Sequence, residues 1–399
     1  MTGNPDPPGK GTPIDGLSLL ESVSLPAAVI FERALAHNIA WMQRFADDHG
    51  AKLAPHGKTT MTPALFRRQI DAGAWGITLA TATQCAAAFE HGATRLLMAN
   101  QLVGTPNMSI VAGLIERGAE YCCLIDSTAN VQALNGYFGQ RRLTVQVLIE
   151  LGVPGGRCGV RNDSELQTLV DAIAASPALT LYGIEGYEGL IGGTQAVDDI
   201  RDYGKRLVQT VRSLRDSGSF ADRKPIITAA GSQWFDLIAE AFDHPDLRDH
   251  CTPVLRSGCY VVHDHRSYRD AMAEVKARHP ELDGELQPAL AVFAHVQSLP
   301  EPGLAVVAMG KRDISVDPDL PIPLQLHRPG EPARPLTGCS VRKVMDQHAM
   351  MVMPEHADIR IGDVVSFGAS HPCLTFDKWR QVLLVDDDLR VLEVMPTFF

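Results

Sequence analysis

The sequence K-L-A-P-H-G-K-T-T-M-T-P, residues 52–63, decides how the rest of this chain is interpreted. Its short apolar beginning ends at Pro55-His56-Gly57, and proline and glycine are residues that terminate strands. Threonine hydroxyls follow that can cap a helix, and Pro63 suits the first helical turn. Lys58 is therefore predicted at the carboxyl end of a strand, immediately before a helix.

A lysine in such a place has two interpretations. If it is partly desolvated, its amine can lose the proton and attack a carbonyl group to form a Schiff base. The alternative is an ordinary surface lysine in a loop. Position alone does not separate the two, so the interpretation of Lys58 depends on the rest of the chain.

Composition excludes several classes of protein. The 399 residues are 45% hydrophobic and 21% charged, which is typical of a soluble globular protein. The net charge of −11 argues against nucleic acid and anionic membranes as partners. No apolar run approaches the roughly 20 residues of a membrane span, and the beginning of the chain lacks the features of a signal peptide. The 8 cysteines form no C-x-x-C pair, so we expect reduced thiols in a cytoplasm.

Short apolar runs alternate with helical patterns through the first two thirds of the chain. They begin near Lys52, Gly76, Arg95, Glu120, Leu143, Leu181, Pro225 and Thr252. Eight strands that alternate with helices predict an α/β fold, a (β/α)8 TIM-like barrel. The alternative is an open, doubly wound sheet.

The pattern changes after a predicted helix at Tyr268–Arg278, because strands dominate from there to the end. We expect an N-terminal tail at residues 1–24, disordered apart from a short amphipathic piece. A barrel at 25–270 and an all-β domain at 271–399 follow, and the strand near 26–31 is expected to join the latter domain.

Active sites of such barrels lie at the carboxyl ends of the strands. The side chains that follow predicted strands there include His56, Lys58, Arg157 and Tyr187. Glycine-rich turns follow the last two strands, where barrels commonly bind a phosphate with backbone N–H groups. These turns contain Gly231, Ser232, Gly258, Cys259 and Tyr260. The alternative is that they are ordinary strand-to-helix turns.

A second signal lies far along the chain, at His371-Pro372-Cys373. In extended backbone, residues two apart project to the same side, so His371 and Cys373 could bind one metal ion. Two protein ligands would leave positions open for water or substrate. His348 and His356 are further candidates for a third ligand, but spacing does not select between them.

Several stretches together resemble one family. They are Pro55-His56-Gly57-Lys58-Thr59, Gly156-Arg157-Cys158-Gly159-Val160, Gly186-Tyr187-Glu188-Gly189, Gly231-Ser232, Ser257-Gly258-Cys259-Tyr260 and His371-Pro372-Cys373. From about Pro26 onward, the chain resembles the D-serine dehydratase and D-threonine aldolase family of pyridoxal-phosphate (PLP) enzymes, which have the alanine-racemase-like fold. Thr60 stands where that family usually has a second histidine.

The resemblance implies roles for the candidate residues. Lys58 would bind PLP covalently and remove the α-proton of the substrate, with His56 as a further catalytic residue. Arg157 and Tyr187 would lie beside the pyridine ring. The phosphate would be bound by Gly231, Ser232, Gly258, Cys259 and Tyr260. A divalent metal would be bound by His371 and Cys373, with zinc expected and manganese or magnesium as alternatives.

The resemblance also implies the reaction. We expect a dehydratase that converts D-serine or a related β-hydroxy-D-amino acid to a 2-keto acid and ammonia. Aldolases of the family tend to have a carboxylate where this chain has Cys373, which favours the dehydratase. The alternatives are an aldolase that releases glycine and an aldehyde, a racemase, or a non-enzymatic PLP-binding protein. We further expect a cytoplasmic homodimer with a small D-amino acid as its partner, and neither nucleic acid nor membrane.

Overall fold

The computed structural model describes residues 9–14, 16–220 and 223–399. Its contacts divide the chain into two compact units that interleave along the sequence. The barrel unit consists of Ala40–Lys58 and Leu65–Gly258. The β unit consists of the described residues up to Ile39, together with Thr59–Ala64 and Cys259–Phe399. The predicted boundary at residue 270 stays a prediction.

The barrel unit contains the eight-stranded sheet, in which all neighbouring strands are parallel. The strands are β2 Lys52–Leu53, β3 Ile77–Leu79, β4 Arg95–Gln101, β5 Glu120–Ile125, β6 Val145–Leu151, β7 Leu179–Gly186, β8 Ile226–Ala229 and β9 Thr252–Leu255. Strands β2 and β3 stand at the two ends of the strand order. A parallel bridge between His56 and Thr78 joins these ends. The predicted barrel is therefore confirmed, and the open-sheet alternative is wrong.

The helices complete the alternation. They are α1 Leu19–Ser22, α2 Glu32–Asp48, α3 Pro63–Asp71, α4 Ala82–Glu90, α5 Thr105–Glu116, α6 Thr128–Gln140, α7 Asp163–Ala174, α8 Ala196–Asp216, α9 Phe235–Phe242, α10 Pro245–His250, α11 Ser267–Arg278 and α12 Cys373–Phe376. Four of the described helices are capped by the side chain of their N-cap residue, namely Thr81, Ser127, Asn162 and His244. Such caps satisfy backbone N–H groups that have no partner inside the helix.

Aliphatic side chains of the strands fill the barrel. The buried cluster includes Leu97, Leu124, Leu148, Ile226 and Val254, contributed by β4, β5, β6, β8 and β9. Parallel strands that are buried on both faces have continuous apolar sequences. This is why the strands appear in the sequence as apolar runs, without alternating apolar and polar residues.

The β unit is a ten-stranded, mostly antiparallel sheet. Its strands are β1 Ala27–Phe31, β10 Leu290–Glu301, β11 Leu304–Val307, β12 Ile322–His327, β13 Arg334–Pro335, β14 Ser340–Val344, β15 Ala349–Val352, β16 Val364–Gly368, β17 Gln381–Val385 and β18 Val391–Pro396. Strand β1 lies between β10, to which it is antiparallel, and β17, to which it is parallel. The sequence pattern predicts a strand over residues 345–353 and none over Ser340–Val344. Only Ala349–Val352 of the predicted stretch is strand, and it pairs with β14.

The N-terminal segment contains the short amphipathic piece that the sequence predicts within the tail. Helix α1 lies within it, and Leu19 is buried in the core of the β unit together with Val23, Val29 and Val391. These apolar side chains anchor the segment, because their burial offsets the entropy of ordering it. Residues 1–8 and 15 of the predicted tail lie outside the described residues. Among the described helices, none combines the length and the apolar character needed to cross a membrane.

Candidate active site and metal centre

The lysine motif follows β2 of the barrel. After β2, an isolated β-bridge at His56 is the last extended pairing of this segment. A 3-10 turn at Gly57–Thr59 follows and carries Lys58, whose side chain is exposed. Glycine is required at position 57, because an added Cβ would lie 2.7 Å from the Phe66 ring. The structure thus places Lys58 at a strand end, as predicted, with its amine accessible.

His56 is electrostatically suited to remain neutral. Burial lowers the pKa of His56 well below its usual value, and the nearby positive charges of Lys58, Arg256 and Arg157 lower it further. Its Nδ1 atom is buried without a hydrogen-bond partner among the described residues. The imidazole therefore resists protonation, and one of its ring nitrogens is a hydrogen-bond acceptor while the other is a donor.

Arg157 and Tyr187 contact each other in the barrel unit. The Arg157 guanidinium lies 4.3 Å from the centre of the Tyr187 ring. The loop that carries Arg157 is fastened by Arg161, which donates to the carbonyl oxygens of Gly156 at 3.0 Å and Gly159 at 2.6 Å. Arg157 and Tyr187 thus form a cation–π contact. Their position beside the pyridine ring, which the family resemblance implies, stays a prediction.

A buried ion pair, which sequence analysis missed, lies at the ends of β7 and β9. Arg256 donates to Glu185, to the carbonyl oxygen of Gly186 at 2.8 Å and to Thr228 Oγ1 at 3.0 Å. Burial raises the pKa of Glu185 to about 7, and the charge of Arg256 acts in the opposite direction. Because Arg256 and Glu185 are both almost fully buried, neither can be removed without leaving the other uncompensated.

In one of the two turns predicted to bind phosphate, backbone N–H groups donate to a side chain of the protein. The N–H groups of Ala230, at 3.2 Å, and of Gly231 donate to the buried carboxylate of Glu188. Ala230 has a φ of 79°, a left-handed conformation that is strained for alanine. At Gly258, an added Cβ would lie 2.4 Å from the His56 carbonyl oxygen, so only glycine fits. The contact of Gly231 and Gly258 with a phosphate stays a prediction, as does that of Ser232.

Three side chains of the β unit converge on one point. The ligand atoms of Cys259, His371 and Cys373 all lie within 4.8 Å of one another, and the two sulfur atoms are 3.6 Å apart. We call these three residues the Cys-His-Cys group. Cys259 begins a 3-10 turn at Cys259–Val261 and is buried, whereas the other two are half-buried.

Two sequence predictions change here. The thiol of Cys259 joins the metal candidates, although its sequence position suggested a phosphate contact; its backbone, like Tyr260, stays a predicted phosphate contact. The predicted extended geometry is wrong, since Cys373 begins helix α12 and Pro372 has helical dihedral angles. His348 and His356 are exposed and lie outside the group.

The donor set fits a transition metal. Two thiolates and one imidazole are the ligands of catalytic zinc sites that keep a fourth position open. A hydroxyl supports the sulfurs, because Thr59 Oγ1 lies 3.5 Å from the Cys259 sulfur and 3.4 Å from the Cys373 sulfur. Thr59 is buried and follows Lys58 directly in the chain.

The residues of the barrel unit also fit PLP. An accessible amine at a strand end, glycine-only backbone at position 258 and a cationic guanidinium are what an aldehyde cofactor with a phosphate requires. Together, the closed barrel, the mostly antiparallel sheet and this lysine define an alanine-racemase-like protein.

Comparison with known proteins agrees with this alanine-racemase-like assignment. Residues 30–244 match the family described as "Alanine racemase, N-terminal domain", and the chain belongs to that family. Residues 289–385 match the family described as "Putative serine dehydratase domain". The resemblance to the D-serine dehydratase and D-threonine aldolase family, noted from the sequence, is confirmed.

Individual relatives are distant. The chain is 25% identical to a D-threonine aldolase of Arthrobacter sp over 377 residues, which are 92% of this chain and 90% of the relative. It is 28% identical to a D-threo-3-hydroxyaspartate dehydratase of Delftia sp. (strain HT23) over 250 residues, 61% of this chain and 63% of the relative. The crystal structure of D-threonine aldolase from Filomicrobium marinum superposes with a TM-score of 0.79 at 24% identity, covering 96% of this chain and 97% of that one.

Proposed function

We propose that this chain is a PLP- and metal-dependent lyase, a dehydratase that converts D-serine or a related β-hydroxy-D-amino acid to a 2-keto acid and ammonia. The observation that carries the proposal is the Cys-His-Cys group in a chain whose barrel presents Lys58 at a strand end. An amino-acid racemase has no leaving group to stabilise, and a simple PLP-binding protein has no use for a metal. Both are therefore less well supported.

The proposed reaction needs three things that these residues supply. Lys58 would remove the α-proton of the substrate with its amine. His56, whose pKa is lowered by burial and by the neighbouring positive charges, stays neutral and adds no further positive charge beside that amine. PLP, when bound, provides the electron sink for the carbanion. Hydroxide is a poor leaving group, and a metal held by the Cys-His-Cys group would act there as a Lewis acid.

Arg157 and Tyr187 would determine how strong the electron sink is. Neither side chain is a carboxylate, so neither would stabilise a proton on the pyridine nitrogen as an aspartate does. We infer a sink of moderate strength, suited to an elimination in which the metal shares the developing charge.

The ligand set favours a soft metal. Two thiolates select zinc over manganese or magnesium, which prefer oxygen ligands. The identity of the metal is part of the proposal, as are the cytoplasmic location and the homodimer.

An aldolase is the second candidate, because a relative at 25% identity is described as a D-threonine aldolase. It would need the same residues, but the metal would make the β-hydroxyl group acidic instead of assisting a departing hydroxide, and the Cα–Cβ bond would break. The products distinguish the two reactions, because an aldolase releases glycine and an aldehyde.

The test is a matched assay of the PLP-loaded protein on D-serine, D-threonine and D-threo-3-hydroxyaspartate. Keto acid, ammonia and glycine are measured before and after treatment with EDTA, with zinc or manganese added back. We expect keto acid and ammonia, lost with EDTA and restored best by zinc. Glycine with an aldehyde would establish the aldolase instead.

Two cysteine variants show whether the metal acts at the proposed place. Cys373→Ser should lose bound zinc and at least 100-fold of the activity, the scale on which altered metal sites respond. Cys339→Ser is the matched control, because Cys339 is also half-buried but lies outside the Cys-His-Cys group. Full activity after verified metal removal would contradict the proposal.

A further inference from the structure

Tyr268 contacts two of the three members of the Cys-His-Cys group. Its ring centre lies 5.5 Å from that of His371, tilted by 43°. Its hydroxyl forms a side-chain hydrogen bond with Cys259. Tyr268 belongs to helix α11, so one residue on one helix contacts two members of the group that are 112 positions apart in the sequence, at 259 and 371.

The position of Tyr268 is itself fixed. The carboxylate of Asp264 accepts from the N–H groups of Arg266 at 2.8 Å and Tyr268 at 2.9 Å, so it caps the beginning of α11. Asp264 is almost fully buried. The buried cap leaves the tyrosine little freedom to move away from Cys259.

In the contact between Tyr268 and Cys259, the phenol is the hydrogen-bond donor and the sulfur is the acceptor. A phenol has a pKa near 10, so at neutral pH it can donate to a sulfur atom. A hydrogen bond to a thiolate withdraws electron density from it, and a metal bound to that sulfur keeps more of its positive charge. Thr59 Oγ1 also lies near both sulfurs: it accepts from Cys373, and its single O–H can donate to Cys259.

We propose that Tyr268 is a positioning residue of the metal centre, which orients Cys259 and His371 and lowers the electron donation of the Cys259 sulfur. The inference rests on the proposed function only in requiring that the Cys-His-Cys group binds a metal. It assigns Tyr268 no contact with substrate or PLP.

The experiment measures the metal, not turnover. Metal-free protein is titrated with Co²⁺, and the sulfur-to-cobalt charge-transfer band is recorded; zinc affinity is then measured by competition with a chromophoric chelator. In Tyr268→Phe the ring remains and the hydroxyl is lost. We expect the band to move to longer wavelength and zinc to bind about tenfold more weakly, the lower end of the effect of second-layer partners.

Two further variants separate the hydroxyl from the ring. Tyr268→Leu loses both contacts and should weaken zinc binding by about 100-fold. Tyr121→Phe is the matched control, because the Tyr121 hydroxyl is also buried and donates to sulfur, that of Met98 at 3.3 Å on the barrel strand β4. Its loss should leave the cobalt band and the zinc affinity unchanged.

The outcomes distinguish this inference from the proposed function. If Tyr268→Phe matches Tyr121→Phe in band position and zinc affinity, Tyr268 is not a positioning residue, whatever reaction the enzyme catalyses. The same follows if the wild-type protein binds no Co²⁺. If the band shifts as expected but no β-hydroxy-D-amino acid is consumed, the inference stands and the proposed reaction is wrong.

Discussion

Glu188 shows how one residue holds a strained turn at the site. Its carboxylate accepts from the N–H groups of Ala230 and Gly231, and no part of its side chain is exposed. Glu188→Ala would leave both donors without an acceptor, at a cost of about 1–3 kcal/mol each. We expect a loss of roughly 2–6 kcal/mol in the free energy of unfolding, measured by urea denaturation at neutral pH. Glu188→Gln keeps an acceptor oxygen and should lose about half as much or less; equal losses would show that the negative charge matters rather than the hydrogen bonds.

At the residue scale, the sequence predicted what lies in short motifs and missed what depends on distant pairs. Lys58 follows a strand and precedes a helix, and His371 and Cys373 are two positions apart, so local patterns reveal them. The thiol of Cys259 meets Cys373 across 114 positions, a separation that no spacing rule covers. The partnership of Glu185 with Arg256 and the contact of Tyr268 with His371 were missed for the same reason.

At the scale of elements, helix α7 begins directly after the loop that carries Arg157. Asn162 caps it by accepting from the Glu165 N–H at 2.9 Å, and the Glu165 carboxylate accepts in return from the Arg161 N–H at 2.7 Å. This reciprocal arrangement is similar to a capping box, with the difference that Glu165 accepts from the residue before the N-cap instead of from the N-cap itself. Asn162→Ala should cost about 1 kcal/mol of unfolding free energy, whereas Asn162→Asp should cost a few tenths at most. Urea denaturation of both variants checks this; an alanine variant as stable as the aspartate variant would mean that the cap contributes nothing.

The elements themselves were largely predictable. The starts of all eight barrel strands lie close to the predicted ones, because parallel strands read as uninterrupted apolar runs between helices. Strand β14, Ser-Val-Arg-Lys-Val, was missed because three of its five residues are polar and exposed, so its pattern resembles a loop. Helix α1 has only four residues, and it is ordered by tertiary burial of Leu19 rather than by its own propensity.

At the scale of the whole molecule, buried histidines and buried carboxyl groups have opposite effects on how the stability of the fold depends on pH. Burial lowers the pKa of His327 to about 4, and the same cause lowers those of His263 and His265 to about 4. Burial also raises the pKa of Glu185 to about 7 and that of Asp264 to about 6. Between about pH 4 and 6.5, the unfolded chain binds protons at the histidines that the folded chain does not, so acid destabilises the fold. The carboxyl groups do the reverse, since the folded chain binds their protons first. The wild-type protein should therefore show a weaker dependence of stability on pH in this window than its buried histidines alone would give.

A single variant separates the two contributions. His327 is 4% exposed, and its Nε2 lies 3.1 Å from Ser366 Oγ. His327→Gln can keep that hydrogen bond but cannot titrate. The stability that neutral His327 contributes is complete above about pH 6.5 and is lost as the pH falls toward 4, at up to about 1.4 kcal/mol per pH unit. We therefore expect the unfolding free energy of His327→Gln, relative to wild type, to rise by roughly 2 kcal/mol between pH 6.5 and 4.5. Urea denaturation across that range measures the difference. A constant difference would show that the folded protein protonates His327 as readily as the unfolded chain does, and that the acid response arises from the other buried groups.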